Sequence, residues 1–335
     1  MDSLDTTDMS GRVTDVTGLI VEAVGPPCRI GDLCHIEGGA LSDPIPAEVV
    51  GLRHRKILLM PLGHTTDIGT DSRVTASGGG FTIPVGVDLL GRIVDACARP
   101  LDGGPPIIGE QRRSVCADAP PPLRRAPVRV PLSLGVRAID ALLTCARGQR
   151  LGIYAGPGVG KTTLMGMMAR NADADVTVVA LIGERGREVN HLCYDVLGAE
   201  ALEHAVVVIA TSDASALLRV KAAMAATTIA EFFRDLGKHV LLVMDSLTRV
   251  AWAQREVGLA AGEPPTRNGF TPSVFALLPR LLERAGTSSN GTITAFYTVL
   301  LEDDDLTGPV ADVSRATLDG HIVLSRDLAA RNHFP

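Results

Sequence analysis

Aromatic side chains make up only 3% of this 335-residue chain, with a single Trp, so any core must be built from Val, Leu, Ile and Ala. The 46% apolar content is ample for that and far from the composition of a disordered chain. Long hydrophobic runs are missing too. The densest stretches, Val176 to Gly183 and Val240 to Met244, have strand length, well short of the ~18 residues of a membrane helix. The first ten residues hold Asp2, Asp5 and Asp8 and no basic, apolar leader, so no secretory signal is expected. A basic excess is absent as well. With 32 Lys plus Arg against 38 Asp plus Glu the net charge is -6, which argues against broad binding to nucleic acid or an anionic membrane. The six cysteines (Cys28, Cys34, Cys97, Cys116, Cys145 and Cys193) form no CxxC pair, and no Cys/His cluster has zinc spacing. Cys28 and Cys34 flank a turn-like stretch and could meet, but free buried thiols in a reduced, cytosolic compartment are the expectation.

At ~150 residues per domain the length suggests about two domains. Residues 1–79 read as short strands: Val13 to Val24, Arg29 to Ile36, Ala47 to Leu52 and Lys56 to Met60. Gly25-Pro26-Pro27, Gly38-Gly39 and Pro61 punctuate them. Such spacing predicts a small β-barrel, here without a catalytic cluster and so a packing or assembly module. Residues 80–335 form the second unit. Its start is a Pro/Gly-rich connector, 95–131, where Pro100, Gly103-Gly104-Pro105-Pro106 and Pro120-Pro121-Pro122 exclude long helices and central strands. Val85 to Val94 is apolar enough to be tied down. After Leu132, strand-like runs (Arg150 to Ala155, Val176 to Ile182, Ala205 to Thr211, His239 to Met244, Thr292 to Leu300, His321 to Leu324) alternate with helical ones (Lys161 to Arg170, Arg187 to Leu197, Ala214 to Leu236, Ser273 to Arg284). That order predicts an α/β domain with a mostly parallel sheet covered on both faces. Asp213 is the expected N-cap of the third helix and Gly237 its terminator.

Between the first of these strands and its helix stands Ala155-Gly156-Pro157-Gly158-Val159-Gly160-Lys161-Thr162-Thr163, a P-loop in strand–loop–helix context. Its glycines let backbone N–H groups turn inward around phosphates, and the helix N-terminus adds its dipole. Lys161 would reach the β- and γ-phosphates and the Thr162 hydroxyl would hold Mg²⁺. The first glycine of the usual pattern is Ala155 here. Ligands of open α/β sheets sit beyond the carboxyl ends of the strands. There the chain has Asp245, placed to order Mg²⁺ and its waters. It also has Gly183-Glu184-Arg185-Gly186-Arg187-Glu188, where Glu184 is the candidate to orient and deprotonate water, with Arg185 and Glu188 in support.

Gly148 to Ile153, Gly156 to Thr162, Leu181 to Val189, Met244-Asp245-Ser246-Leu247-Thr248-Arg249, Ala253 to Glu256, Gly262 to Pro265, Ile293 to Leu300 and Leu318 to Arg326 closely resemble the flagellar and type III secretion export ATPases. These are relatives of the catalytic subunit of rotary ATP synthases. The likeness extends over nearly the whole chain. It implies a RecA-like P-loop NTPase core behind the barrel, with ATP as substrate, Mg²⁺ at Thr162, Asp245 and Glu188, and Glu184, Lys161 and Arg185 in catalysis. It further implies a hexameric ring that powers protein unfolding and export. The implied partners are stator, stalk and export-gate proteins, exported proteins and chaperones. The location would be cytoplasmic, peripheral to the inner-membrane export apparatus, with no specific nucleic acid.

Arg249 and Arg255 either line the subunit interface or form salt bridges on a helix face. Two stretches depart from the family: Asn190 to Asp195, and the acidic Leu301 to Asp305, read as a solvated loop. The family also continues past Pro335 into an arginine finger, adenine-packing residues and a helical C-terminal domain, so slow turnover is expected of this chain. The sequence leaves two rival functions open, a nearly inactive nucleotide-binding assembly subunit and a Rho-like nucleic-acid translocase. Against the latter, the first eighty residues contain no Trp or Tyr on which bases could stack.

Overall fold

The computed structural model describes residues 10–38, 43–63, 65–301 and 306–335. The acidic stretch expected as a solvated loop, residues 302–305, lies outside them.

Six antiparallel strands close the N-terminal barrel: β1 (Ser10–Thr17), β2 (Ile20–Val24), β3 (Asp32–Glu37), β4 (Ile45–Arg53), β5 (Lys56–Pro61) and β6 (Arg73–Gly80), in the order β1-β2-β5-β4-β3-β6. The apolar stretch from Val13 to Val24 is a hairpin rather than one strand, turned at Gly18, whose left-handed φ of 58° suits a glycine. β6 ends in three glycines and has no period-2 pattern of its own, yet it pairs with both β1 and β3 and closes the barrel. Inside, Val13, Val21, Cys34, Ile36, Val49 and Leu59 pack together. The barrel carries no aromatic side chain among these, in keeping with the composition.

The stretch from Thr82 through the connector is tied down by short strands. β7 (Thr82–Val85) pairs with β9 (Gln111–Ser114), and β8 (Ile93–Asp95) joins the main sheet as an edge strand. A two-stranded ladder of β10 (Pro131–Leu132) and β11 (Cys145–Ala146) leads into the core domain. The main sheet is parallel throughout its run β18-β12-β17-β15-β13-β14-β8, where β12 is Arg150–Ala155, β13 Val176–Ile182, β14 Ala205–Ala210, β15 His239–Asp245, β17 Thr292–Leu300 and β18 Gly320–Val323. Only β16 (Gly286–Thr287), paired with β17, is antiparallel to it.

The strands are apolar on both faces because both faces are covered. Val240, Leu242 and Met244 of β15 join the cluster under α5 (Ala216–Asp235), α6 (Leu247–Ala261) and α7 (Pro272–Glu283). Leu241 and Val243 point the other way, into a cluster with α1 (Arg137–Leu142) and α2 (Lys161–Asn171). The remaining helices are α3 (Gly186–Asn190), α4 (Gly198–Glu203), α8 (Pro309–Thr317) and α9 (Arg326–Ala330). The helical stretch expected from Arg187 to Leu197 is α3 continued by a π-helical segment, His191–Leu197. Ser215, not Asp213, caps α5, its hydroxyl accepting from the Leu218 N–H. Gly237 follows that helix at a φ of 84°, as a terminator does. No helix among the described residues is long and apolar enough to cross a membrane.

Barrel and core meet through charge as well as apolar contact. Lys221 of α5 and Glu48 of β4, both buried, form an ion pair across the junction.

Candidate active site

β12 ends at Ala155, fully buried, and the loop beyond it turns through Gly158 and Gly160 at φ of 78° and 99°. A side chain with a Cβ would strain both turns. α2 begins at Lys161, so the loop and the first turn of the helix wrap one concavity of about 480 Å³. Glu184, Arg185, Glu188 and Arg249 stand on its opposite wall, and Phe334 reaches its rim. A second, smaller cavity of about 170 Å³ adjoins it, sharing Thr162, Thr163, Glu184 and Glu188 and reaching Asp245 and His191. The departure from Asn190 to Asp195 thus borders the site through the π-helical segment, where His191 and Asp195 pair at 2.8 Å.

Lys161 Nζ donates to Asp245 Oδ1 at 2.6 Å, so the two phosphate-site residues named from the sequence are already in contact. Asp245 is buried at the end of β15, and its Oδ1 also accepts from Thr298 Oγ1 of β17 at 2.7 Å. Thr162 and Thr163 follow Lys161 in the first turn of α2 and line both cavities. Arg185 is exposed and lies 3.9 Å from the half-exposed Glu188, a loose surface pair.

Glu184 is the second buried carboxylate of the site. It caps β13, its backbone carbonyl accepts from the Ser212 N–H, and its side chain is buried. Arg249, from the first turn of α6, grips it: Nη1 donates to the Gly183 carbonyl at 2.6 Å and Nη2 to Glu184 Oε2 at 3.4 Å. Arg249 Nε and Glu184 Oε1 are 3.2 Å apart, yet neither completes a hydrogen bond within the protein. Burial pushes the Glu184 carboxyl up to about 7, helped by the Asp245 charge and a hydrogen bond with Glu188, against the pull of Lys161 and Arg249. That hydrogen bond holds Glu188 below the usual carboxylate range.

Arg249 therefore belongs to the site, the role left open between interface and salt bridge. Arg255 does not. Its guanidinium lies 5.8 Å from the centre of the Phe270 ring, beside Trp252 on a separate cavity of about 300 Å³. Sequence reasoning missed Thr298 altogether. Its only signal is a hydroxyl in an otherwise apolar strand, which becomes meaningful once β17 is known to lie beside β15.

Glu184 and Arg249, an ion pair lining the glycine-rich concavity, set a carboxylate and a guanidinium where a polyanionic ligand and its water would sit. The oxygen donors Thr162, Asp245 and Glu188 suit a hard cation. Among the described residues no three metal-ligating His, Cys, Asp or Glu side chains cluster.

Residues 135–335 match the family described as ATP synthase alpha/beta family, nucleotide-binding domain, and residues 13–78 match the beta-barrel domain of the same family. The chain is 53% identical over 326 residues to the flagellum-specific ATP synthase of Bacillus subtilis, covering 97% of this chain and 74% of that protein. It is 51% identical over 332 residues to the type 3 secretion system ATPase of Sinorhizobium fredii, covering 99% of this chain and 74% of that one. Among solved structures, the assembled ATPase EscN of the enteropathogenic E. coli type III secretion system superposes with a TM-score of 0.91 at 49% identity, over 97% of this chain and 78% of EscN. EscN in complex with its central stalk EscO gives 0.89 at 48% identity, with the same coverage of both chains.

Proposed function

This chain belongs to the ATP synthase alpha/beta family, and from that membership and the geometry of the P-loop we propose that it is the ATP-hydrolysing subunit of a flagellar or type III protein export apparatus. The observation that carries the reading is the junction of three segments far apart in sequence: Lys161 on Asp245, and Arg249 on Glu184, around one glycine-lined cavity. The likeness to export ATPases favours this reading over a nucleic-acid translocase.

Backbone N–H groups from Gly156 to Thr163, with Pro157 and Val159 shaping the turn, receive the phosphates, and the α2 N-terminus faces them. Lys161 exchanges Asp245 for the β- and γ-phosphates. Asp245 is thereby released, and with Thr162 and Glu188 would hold Mg²⁺, which supplies charge neutralisation to the phosphates when bound. Glu184 accepts the proton of a water placed in line with the γ-phosphate. Arg249 fixes that carboxylate in direction, and Arg185 adds positive charge at the exposed rim. By likeness to EscN, the subunit works as a homo-oligomeric ring, a hexamer, on a central stalk protein. Stator and export-gate proteins, exported proteins and chaperones complete the partners, with the ring peripheral to the membrane on its cytoplasmic side.

Nucleotide binding and phosphate release measured side by side test these roles. Lys161→Ala should abolish tight ATP binding, because the loop loses its fixed positive side chain. Glu184→Gln should bind ATP like the parent and fail in turnover. A Gln variant that releases phosphate at the parental rate removes Glu184 from the mechanism.

A further inference from the structure

The thiols of the chain sort into one contact and several isolated groups. Cys28 Sγ and Cys34 Sγ lie 3.5 Å apart in the barrel. Cys97, Cys116, Cys145 and Cys193 are free, and among the described residues no thiol–thiol contact is found for them. Cys34 sits on β3 with its side chain in the barrel core beside Ile36, Ala47 and Val74. Cys28 precedes that strand on a turn, half-buried, packed on the same cluster. The turn is held at its far side. The Arg29 N–H donates to Asp32 Oδ2 at 2.7 Å, the Asp32 N–H to the Arg29 carbonyl at 3.1 Å, and the Gly31 N–H to the Val49 carbonyl of β4 at 2.8 Å. Two anchored segments, rather than a chance approach of loose ones, bring the sulfurs together.

We propose that Cys28 and Cys34 form a reversible thiol–disulfide site in the barrel, whose reactant is a small-molecule disulfide such as oxidised glutathione. The inference rests on the barrel's own geometry and is independent of the nucleotide chemistry. The more accessible Cys28 loses its proton to solvent, and its thiolate attacks one sulfur of the oxidant. That breaks the oxidant's S–S bond, expels one thiolate and leaves a mixed disulfide. Cys34, its proton passing to solvent, then attacks Cys28 Sγ and expels the second thiolate. Two protein thiols are oxidised and one disulfide is reduced to two thiols. Burial raises both groups, Cys34 to about 12, so the thiolate is scarce at neutral pH and the exchange accelerates with alkali. The exposed Cys116, away from any other thiol, is an internal gauge of the oxidant.

The full chain is incubated with oxidised glutathione at mildly alkaline pH, then alkylated and weighed intact and as peptides. The expected product carries glutathione on Cys116 and a disulfide joining the peptides on either side of Arg29, and dithiothreitol reverses both. The Cys28→Ser variant should leave Cys34 unmodified, since the bulky oxidant does not reach it. Cys34→Ser should retain glutathione on Cys28; should that variant fail to fold, the parental peptide map decides alone. Glutathione that persists on Cys28 of the parent overturns the proposal. So does a parent in which Cys28 and Cys34 both remain alkylatable once Cys116 is fully modified.

Discussion

Arg284 and Glu184 are both buried charges of the core domain, and their surroundings differ in completeness. Arg284, at the end of α7, donates to Glu231 through Nε at 3.0 Å and Nη2 at 2.7 Å, to the Val115 carbonyl at 2.7 Å and to Thr228 at 2.8 Å. Partners from α5 and the connector meet all three of its nitrogens. Glu184 has Arg249 beside it, but Glu184 Oε1 and Arg249 Nε are left without a hydrogen bond inside the protein. A buried charge with every partner supplied holds helices and connector together. One with a partner withheld costs folding energy that a ligand can return.

That contrast breaks most visibly at Glu184. Replacing it with Gln should slow phosphate release by ~10²–10⁴-fold, the range of a lost general base. The thermal unfolding midpoint of the ligand-free chain should hold or rise, because a desolvated acid has gone. A midpoint that drops as far as in an Arg284 variant would make Glu184 a structural residue like the other.

Arg284→Met is the converse. It strands Glu231 in the interior and should cost about 3–5 kcal/mol in denaturant unfolding. Adding Glu231→Leu should recover most of that loss. If the double variant is no more stable than the single one, the pair is not the unit that matters.

Arg249→Lys keeps the charge and gives up the fork that reaches Gly183 and Glu184 together. Turnover should fall roughly tenfold, the equivalent of about 1.4 kcal/mol, with ATP affinity little changed. Equal losses in rate and affinity would mean that Arg249 serves phosphate rather than the carboxylate.

The smallest effect belongs to Asp102 in the connector, where Arg92 holds the carboxyl well below the usual range and the Ile93 and Gly104 N–H groups assist. A depressed carboxylate contributes stability above its unfolded pKa of ~3.9 and loses it as pH falls toward the folded value. Below about pH 4 the parent should therefore lose its advantage over Asp102→Asn in thermal unfolding. A gap that is constant across that window removes the ionised carboxylate from the account.

The P-loop and its two acidic partners were legible because their signals are local: glycines at fixed offsets, and carboxylates just past apolar runs of strand length. The parallel sheet was legible for the same reason, since both-faced burial writes itself as uninterrupted Val, Leu and Ile. What stayed hidden depends on neighbours. Thr298 matters only because β17 lies between β12 and β15, and strand order is not encoded in any one strand. β6 reads as a glycine turn, and its pairing is dictated by closure of the barrel. β8 closes the stretch Val85 to Val94 that was expected to be tied down, but three residues carry too little pattern to show as a strand. α6 was unremarked since its start, Leu247 to Arg249, reads as part of the acidic motif. Ser215 capped α5 where Asp213 was expected, a matter of which side chain meets the N–H of its third neighbour.

The placement of β8 has a mechanical meaning. It is the edge strand of the parallel sheet on the side away from β18, three residues long, and it lies on the path from the barrel to the core. A load applied through the barrel reaches the core by two routes, this short edge and the Lys221–Glu48 pair on α5. The P-loop strand β12 stands five places further in, with β14, β13, β15 and β17 between. The chain thus enters the sheet at the end opposite β18, with four strands between its point of entry and the strand that leads into the phosphate loop.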